Sequence, residues 1–220
     1  MTRILVADDH PLFRLALVQA VRGVVDEAEV DEADGFEAAR HALNARPDTD
    51  LVLLDLHMPG SHGLMGLVAL RGEFPSIAVV MISANDDPAV IRRALTYGAA
   101  GFIPKRTGLD DLAGTLRAIL ACEIPAAPTA MAAEDPAHAD DRELAVRLAS
   151  LSPQQLRVLG LVAEGLLNKQ IADRLDIQER TVKAHMSAVF ERLGVRTRTQ
   201  ASLLLRALEI ADPARFVVGE

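Results

Sequence analysis

Three carboxylates, a hydroxyl and an amine stand out because each ends or follows a run of apolar residues. Asp8 and Asp9 follow ILVA, Asp55 follows LVLL, Ser83 closes IAVVMIS and Lys105 follows GFIP. Carboxylates held close together repel one another unless a proton or a cation bridges them. A hard, oxygen-liking ion such as Mg2+ is the natural bridge, and it usually keeps several waters. A hydroxyl and an ammonium do not belong to such a shell. They suit an incoming phosphoryl group, whose oxygens need a donor and a positive charge. The set predicts phosphoryl transfer onto a carboxylate. Asp55 is the central candidate, being the acid of the middle strand.

These residues meet only if their apolar runs are strands of one sheet. Arg3 to Ala7, Glu29 to Ala33, Asp50 to Leu54, Ile77 to Ser83 and Gly101 to Ile103 read as strands. Helical spacing covers Leu12 to Val25, Phe36 to Ala45, Leu64 to Phe74, Pro88 to Tyr97 and Leu109 to Cys122. Strands alternating with helices, without hairpin signals, predict a parallel sheet covered on both faces. Five such units in the front half suit a flavodoxin-like, doubly wound α/β fold. Ligands of such sheets gather beyond the carboxyl ends of the strands. Each residue also has a plainer local use. Asp9 suits a helix N-cap, Asp55 an Asx-turn before Pro59-Gly60, and Ser83 and Lys105 a solvated surface. Asp86-Asp87 before Pro88 reads as a helix start. Their joint position at strand ends is what favours a site.

The chain changes character after Cys122. Residues 124–141, IPAAPTAMAAEDPAHADD, are rich in Pro, Ala and acids and read as a linker. Beyond it no strand pattern appears. Asp141 to Ala149, Pro153 to Glu164, Asn168 to Leu175, Glu179 to Leu193 and Arg198 to Ile210 look helical, punctuated by Gly165 and Gly194. The expected division is 1–122, a linker over 123–147, and an all-α unit over 148–212. Residues 1–122 hold 11 Lys and Arg against 17 Asp and Glu, a net −6. Residues 151–220 hold 10 against 8, a net +2. An acidic front and a mildly basic back suggest two jobs. The single cysteine, Cys122, excludes an intrachain disulfide. The N-terminus turns acidic too soon for a signal peptide, and no apolar run approaches the ~20 residues of a membrane span. A cytoplasmic protein is expected.

Within NKQIADRLDIQERTVKAH, a short helix, a turn near Asp176 and a longer helix have helix-turn-helix shape. Ile171, Ala172 and Leu175 would pack against Val182, Met186 and Val189. The opposite face shows Arg180, Lys183 and Ser187, suited to a major groove. Periodicity alone equally allows a plain helical bundle.

As sets, the motifs carry a resemblance. ADDH, DLHMPG, MISAND and GFIPK resemble the receiver domain of bacterial two-component response regulators. SPQQLRVLGLVAEG, NKQIA, TVKAHM and LGV resemble the LuxR-type helix-turn-helix. Together they are similar to the NarL/FixJ-type architecture over nearly the whole chain. The receiver resemblance implies Asp55 as phospho-acceptor from a sensor histidine kinase. It implies Mg2+ on Asp9, Asp55 and the backbone carbonyl of His57, with Asp8 acting mainly through water. It also implies Ser83 and Lys105 on phosphoryl oxygens, and Phe102 as an aromatic switch. The LuxR-type resemblance implies base contacts from Lys183, Ala184 and Ser187. Lys169, Thr181, Arg198 and Thr199 become candidates for phosphate contacts. It further implies a homodimer on promoter DNA, with the Leu-rich last helix as a face that could equally be core.

The chain departs from these patterns in places. Pro104 precedes Lys105 and Arg106 follows it, where many receivers have Pro after the Lys. Leu167 and Gln178 stand at helix starts where Ser or Thr is common. Asn168 is an alternative cap for the first of these helices. Two rival functions remain on the sequence. An Mg2+ phosphohydrolase would carry an acid two residues after its nucleophile, where this chain has His57. A phosphorylation-independent DNA-binding regulator with a structural receiver is the other.

Overall fold

The computed structural model describes residues 2–120, 139–206 and 208–210. Most of the expected linker, and the end of the expected all-α unit, lie outside these residues.

Five strands form one parallel sheet in the order β2-β1-β3-β4-β5: β1 (Arg3–Ala7), β2 (Glu29–Ala33), β3 (Leu51–Asp55), β4 (Ala78–Ser83) and β5 (Gly101–Pro104). The helices α1 (Pro11–Val24), α2 (Phe36–Ala45), α3 (Leu64–Glu73), α4 (Pro88–Thr96) and α5 (Leu109–Leu120) alternate with them. Every residue of β3 is buried, which is why the strand reads as a continuous apolar run. Alternate side chains point to opposite faces. Ile4, Val6, Leu51, Leu53, Val80 and Ile82 pack with Leu17, Val21 and Leu116 on the α1/α5 side. Leu5, Ala7, Val52, Leu54, Val79 and Met81 face the other way, with Phe36, Leu64, Leu67 and Ala94. Asp87 caps α4, its Oδ1 accepting the Ala89 N–H at 2.8 Å.

The second unit comprises α6 (Ala139–Ala149), α7 (Pro153–Ala163), α8 (Asn168–Leu175), α9 (Glu179–Leu193) and α10 (Arg198–Arg206). Ser152 and Gln155 form a reciprocal capping box on α7. Asn168 is not the cap of α8. It is the first helical residue, and the Gln170 side chain instead accepts the Leu167 N–H at 2.7 Å. No side chain caps α9. Asp176 closes α8 in the left-handed region, at φ 52°, where a short polar side chain is tolerated.

The two units share one core. The α2/α3/α4 side of the sheet continues without a break into Leu148, Leu156, Leu159, Val189, Leu193 and Leu205. At the crossing of α3 and α7, a Cβ on Gly72 would stand 2.5 Å from Leu156 Cδ1. Glu73, one residue on, is gripped twice. Arg40 donates from Nε and Nη2 at 3.1 and 3.0 Å, and Arg157 donates from Nε and Nη2 at 3.0 and 3.1 Å. These are paired, fork-shaped contacts on one buried carboxylate.

Candidate functional sites

Strand register assembles the acidic rim. Ala7 pairs with Leu54, so Asp8 lies level with Asp55. Asp55 pairs with Ile82, which places Ser83 one residue further along β4. Ser83 pairs with Pro104, and Lys105 comes next. The Lys105 N–H donates to the Ser83 carbonyl at 2.7 Å, tying the two chains where they leave the sheet. Asp55 is itself the last strand residue rather than the first residue of the turn. A core strand therefore fixes its backbone.

The side chains converge. Lys105 Nζ donates to Asp55 Oδ2 at 3.0 Å and makes an ion contact with Asp8 Oδ2 at 2.8 Å. Asp8 and Ser83 are completely buried and Asp55 is 1% exposed. Burial pushes the Asp55 carboxyl above the usual carboxylate range. Lys105 pulls it back, and the neighbouring Asp8 charge pushes it up further. For Lys105, burial works against the charged form, but the two carboxylates outweigh it and raise the ammonium above its ordinary value. Asp8 Oδ2 and Asp9 Oδ1 are buried without an aligned hydrogen-bond donor. Ligand atoms of Asp8, Asp9, His10 and Asp55 all lie within 4.8 Å of one another. Buried carboxylate oxygens with unused lone pairs fit a hard cation.

Three neighbours were not singled out in the sequence. His10 Nδ1 is 2.7 Å from Asp9 Oδ1. Arg14 Nη1 donates to the Asp8 carbonyl at 2.6 Å and its Nε to Glu32 at 3.2 Å. The Phe13 ring lies under Lys105 Nζ at 4.9 Å, a cation–π arrangement. The signal was their place, one, five and four residues beyond Asp9 in the first turns of a helix. The His57 ring is not among the clustered ligand groups. It turns away, to the Ile210 carbonyl at 3.1 Å, while the His57 N–H points at Asp55 Oδ1 at 3.4 Å. Phe102 pairs with Met81 and is partly exposed on β5.

In the second unit, Ile171, Ala172, Val182 and Met186 close a small core with Val158, Leu161 and Val162, and Leu175 packs beside it. Val189 belongs instead to the larger shared core. Lys183, Ala184 and Ser187 lie exposed along α9, with Thr181 partly covered at its start. Lys183 Nζ is 3.0 Å from Glu179, and the Ser187 hydroxyl donates to the Lys183 carbonyl at 3.1 Å. Lys169 and Thr199 are exposed as well. Arg198 differs from them. Its Nη2 donates to the Leu166 carbonyl and, at 3.5 Å, to that of Val162, closing the C-terminal end of α7. Of the leucines of α10, Leu205 is core and Leu203 is 58% exposed.

A doubly wound sheet with an acidic rim, joined to a helix-turn-helix unit, defines a class: a receiver-type domain with a DNA-reading module. Family models agree on both parts. Residues 4–117 match the response regulator receiver domain, and residues 149–205 match the luxR family of bacterial regulatory proteins. The chain is 40% identical over 208 residues to the glycerol metabolism activator of Pseudomonas putida, covering 92% of this chain and 94% of that one. It is 34% identical over 203 residues to the nitrate/nitrite response regulator protein NarL of Escherichia coli K12, covering 91% and 93%. Among solved structures, an RcsB response regulator of Salmonella typhimurium matches with a TM-score of 0.52 at 24% identity, covering 93% of this chain and 99% of that one. The protein belongs to the two-component response regulators of the NarL/FixJ type, which are DNA-binding transcription regulators. Among the described residues, no helix is long and apolar enough to cross a membrane.

Proposed function

We propose that Asp55 is the phospho-acceptor of a cytoplasmic transcription regulator that a sensor histidine kinase controls. The observation that carries this is the convergence of Asp8, Asp55 and Lys105 within 3.0 Å contacts at the end of a buried sheet. Asp55 Oδ would attack the phosphoryl phosphorus. An oxygen–phosphorus bond forms, the phosphorus–nitrogen bond to the kinase histidine breaks, and that nitrogen keeps the electron pair. Asp8, Asp9, Asp55 and the His57 backbone carbonyl are the residues we assign to Mg2+. When bound, the ion supplies positive charge that offsets the clustered carboxylates and the phosphoryl oxygens. Lys105 and the Ser83 hydroxyl would then hold phosphoryl oxygens, with Ser83 and Phe102 reorienting between states.

The boundaries we adopt are 1–122 for the receiver, 123–147 for the linker and 148–212 for the DNA-binding unit. Lys183, Ala184 and Ser187 would meet bases, with Lys169, Thr181 and Thr199 on phosphates. Arg198 faces carbonyls of its own unit, so we give it a supporting role beside any phosphate contact. A homodimer on promoter DNA follows from the pairing of half-sites. Incubation with acetyl phosphate and Mg2+, followed by DNA titration, tests this reading. Phosphate should add once, on Asp55, and change operator affinity.

A further inference from the structure

A cavity of about 200 Å³ lies where the receiver meets α7 and α8, and none of the acidic-rim residues lines it. Phe36, Met65 and Ala69 wall it on the receiver side, and Leu156, Leu161 and Leu175 on the other. The charged residues around it are paired with one another. Arg40 holds Glu37 and Glu73, Arg157 holds Glu73 as well, and Arg174 holds Glu164 at 3.3 Å. One polar atom is left over. His62 Nε2 is buried without a hydrogen-bond partner among the described residues. Glu164 Oε1 stands 3.6 Å from it, beyond hydrogen-bond reach. A buried polar nitrogen left unpaired is costly, and beside a cavity it points to a partner from outside the chain.

Gly160 is the second sign. It lies inside α7, where glycine is the poorest helix former after proline. No neighbour requires it, since a Cβ there would meet nothing within 4 Å. Gly72 is the opposite case, with Leu156 Cδ1 2.5 Å from where its Cβ would stand. Gly160 lines the cavity, and what its missing side chain leaves is space.

We propose that this cavity binds a small neutral ligand with one aromatic ring and one hydroxyl, a phenol in class. The size fits, because an apolar cavity of about 150 Å³ takes a single benzene ring. Phe36 offers a ring edge or face and Met65 a sulfur, both favourable against an aromatic ligand. A hydroxyl both donates and accepts, so one oxygen serves His62 Nε2 in either tautomer and can reach Glu164 as well. An ionic ligand finds no spare counter-charge, because the arginines and glutamates of the walls already pair. Both units supply walls, so the ligand binds their joined arrangement and stabilises it by mass action.

Isothermal titration calorimetry of the full-length chain with 4-methylphenol tests this, with toluene and benzoate as analogues. We expect one saturable site for 4-methylphenol with a Kd of about 1 mM, as suits so small a ligand. Toluene should bind about five-fold more weakly, the worth of one hydrogen bond, and benzoate should not saturate. Gly160→Leu and Ala69→Leu fill the cavity from opposite walls, and each should abolish binding. Gly160→Leu should melt no lower than the wild type, since leucine is the better helix former. His62→Asn tolerates the backbone at φ 50° and should remove the preference for 4-methylphenol over toluene. No saturable binding of 4-methylphenol at about ten times the expected Kd would overturn the proposal. So would undiminished binding in both filled variants, or equal affinity of the wild type for 4-methylphenol and toluene.

Discussion

Lys105 stands between Asp8 and Asp55, its Nζ 2.8 Å from one carboxylate and 3.0 Å from the other. One ammonium thus serves two buried acids, and Asp9 adds a third carboxylate beside them. The rim carries more negative charge than its single lysine offsets. Several expected outcomes derive from that imbalance and from how the second unit is fastened.

Without metal, Asp55→Asn should raise the melting temperature at about pH 7.5 by a few degrees, the equivalent of roughly 1 kcal/mol. The folded Asp55 carboxyl titrates above its ordinary value, chiefly from burial. The folded state therefore holds that proton more tightly than the unfolded chain. Ionisation costs stability once pH rises through the folded titration, and the cost disappears below the ordinary carboxylate range. The advantage of the Asn variant should shrink as pH falls toward about 4. Thermal scans in chelator across that range check the trend.

Mg2+ should stabilise the wild type. Binding to the folded state alone contributes about 2.7 kcal/mol at one hundred times Kd, several degrees in a chain of this size. Asp9→Asn and Asp55→Asn should each lose most of that shift, since each removes a carboxylate of the cluster. Melting curves with and without Mg2+ measure it.

Glu73→Gln should destabilise the chain by about 2 kcal/mol. It leaves Arg40 and Arg157 facing each other across a side chain only 4% exposed, and breaking a buried pair on one side is costly. The figure is set below that of a fully buried pair because Arg157 is 35% exposed. Urea unfolding followed by circular dichroism checks this. The loss should be partly recovered when Arg157→Met accompanies it.

Lys183→Ala and Arg198→Ala should separate in kind. Lys183 is exposed and, among the described residues, pairs with Glu179 one turn away, a contact worth little in water. Its loss should weaken operator binding with little change in melting temperature, and should relax sequence preference if the side chain reads a base. Arg198 donates to carbonyls at the end of α7. Its loss should lower the melting temperature first, with the salt dependence of binding nearly unchanged. Fluorescence anisotropy at several salt concentrations, beside thermal scans, distinguishes the two.

Much of the receiver was legible because β3 and β4 are covered on both faces. Their sequences are then apolar runs, and a polar residue at the end of such a run is conspicuous. Asp55 and Ser83 were found in this way, and register brings Lys105 to them. The second unit was legible from its motifs more than from its periodicity. Val189 looked like a partner of Ile171 but lies in the shared core. The carbonyl contacts of Arg198 at the end of α7 were not foreseen beside its reading as a phosphate ligand, since a carbonyl-capping arginine and a DNA-facing one read the same. The fastening of the two units was illegible. Glu73 resembles any charge on a helix surface, and Gly72 resembles a weak helix position. The His57 contact spans 153 residues and ends on a backbone carbonyl, which has no sequence signature.

The central claim is that Asp55 accepts phosphate. Intact mass after incubation with acetyl phosphate and Mg2+, on wild type and Asp55→Asn, tests it most directly, with a purified histidine kinase as a second donor. The account predicts one added, acid-labile phosphate on the wild type and none on the variant. A wild type that takes no phosphate from either donor, or a variant labelled as fully as the wild type, would contradict it.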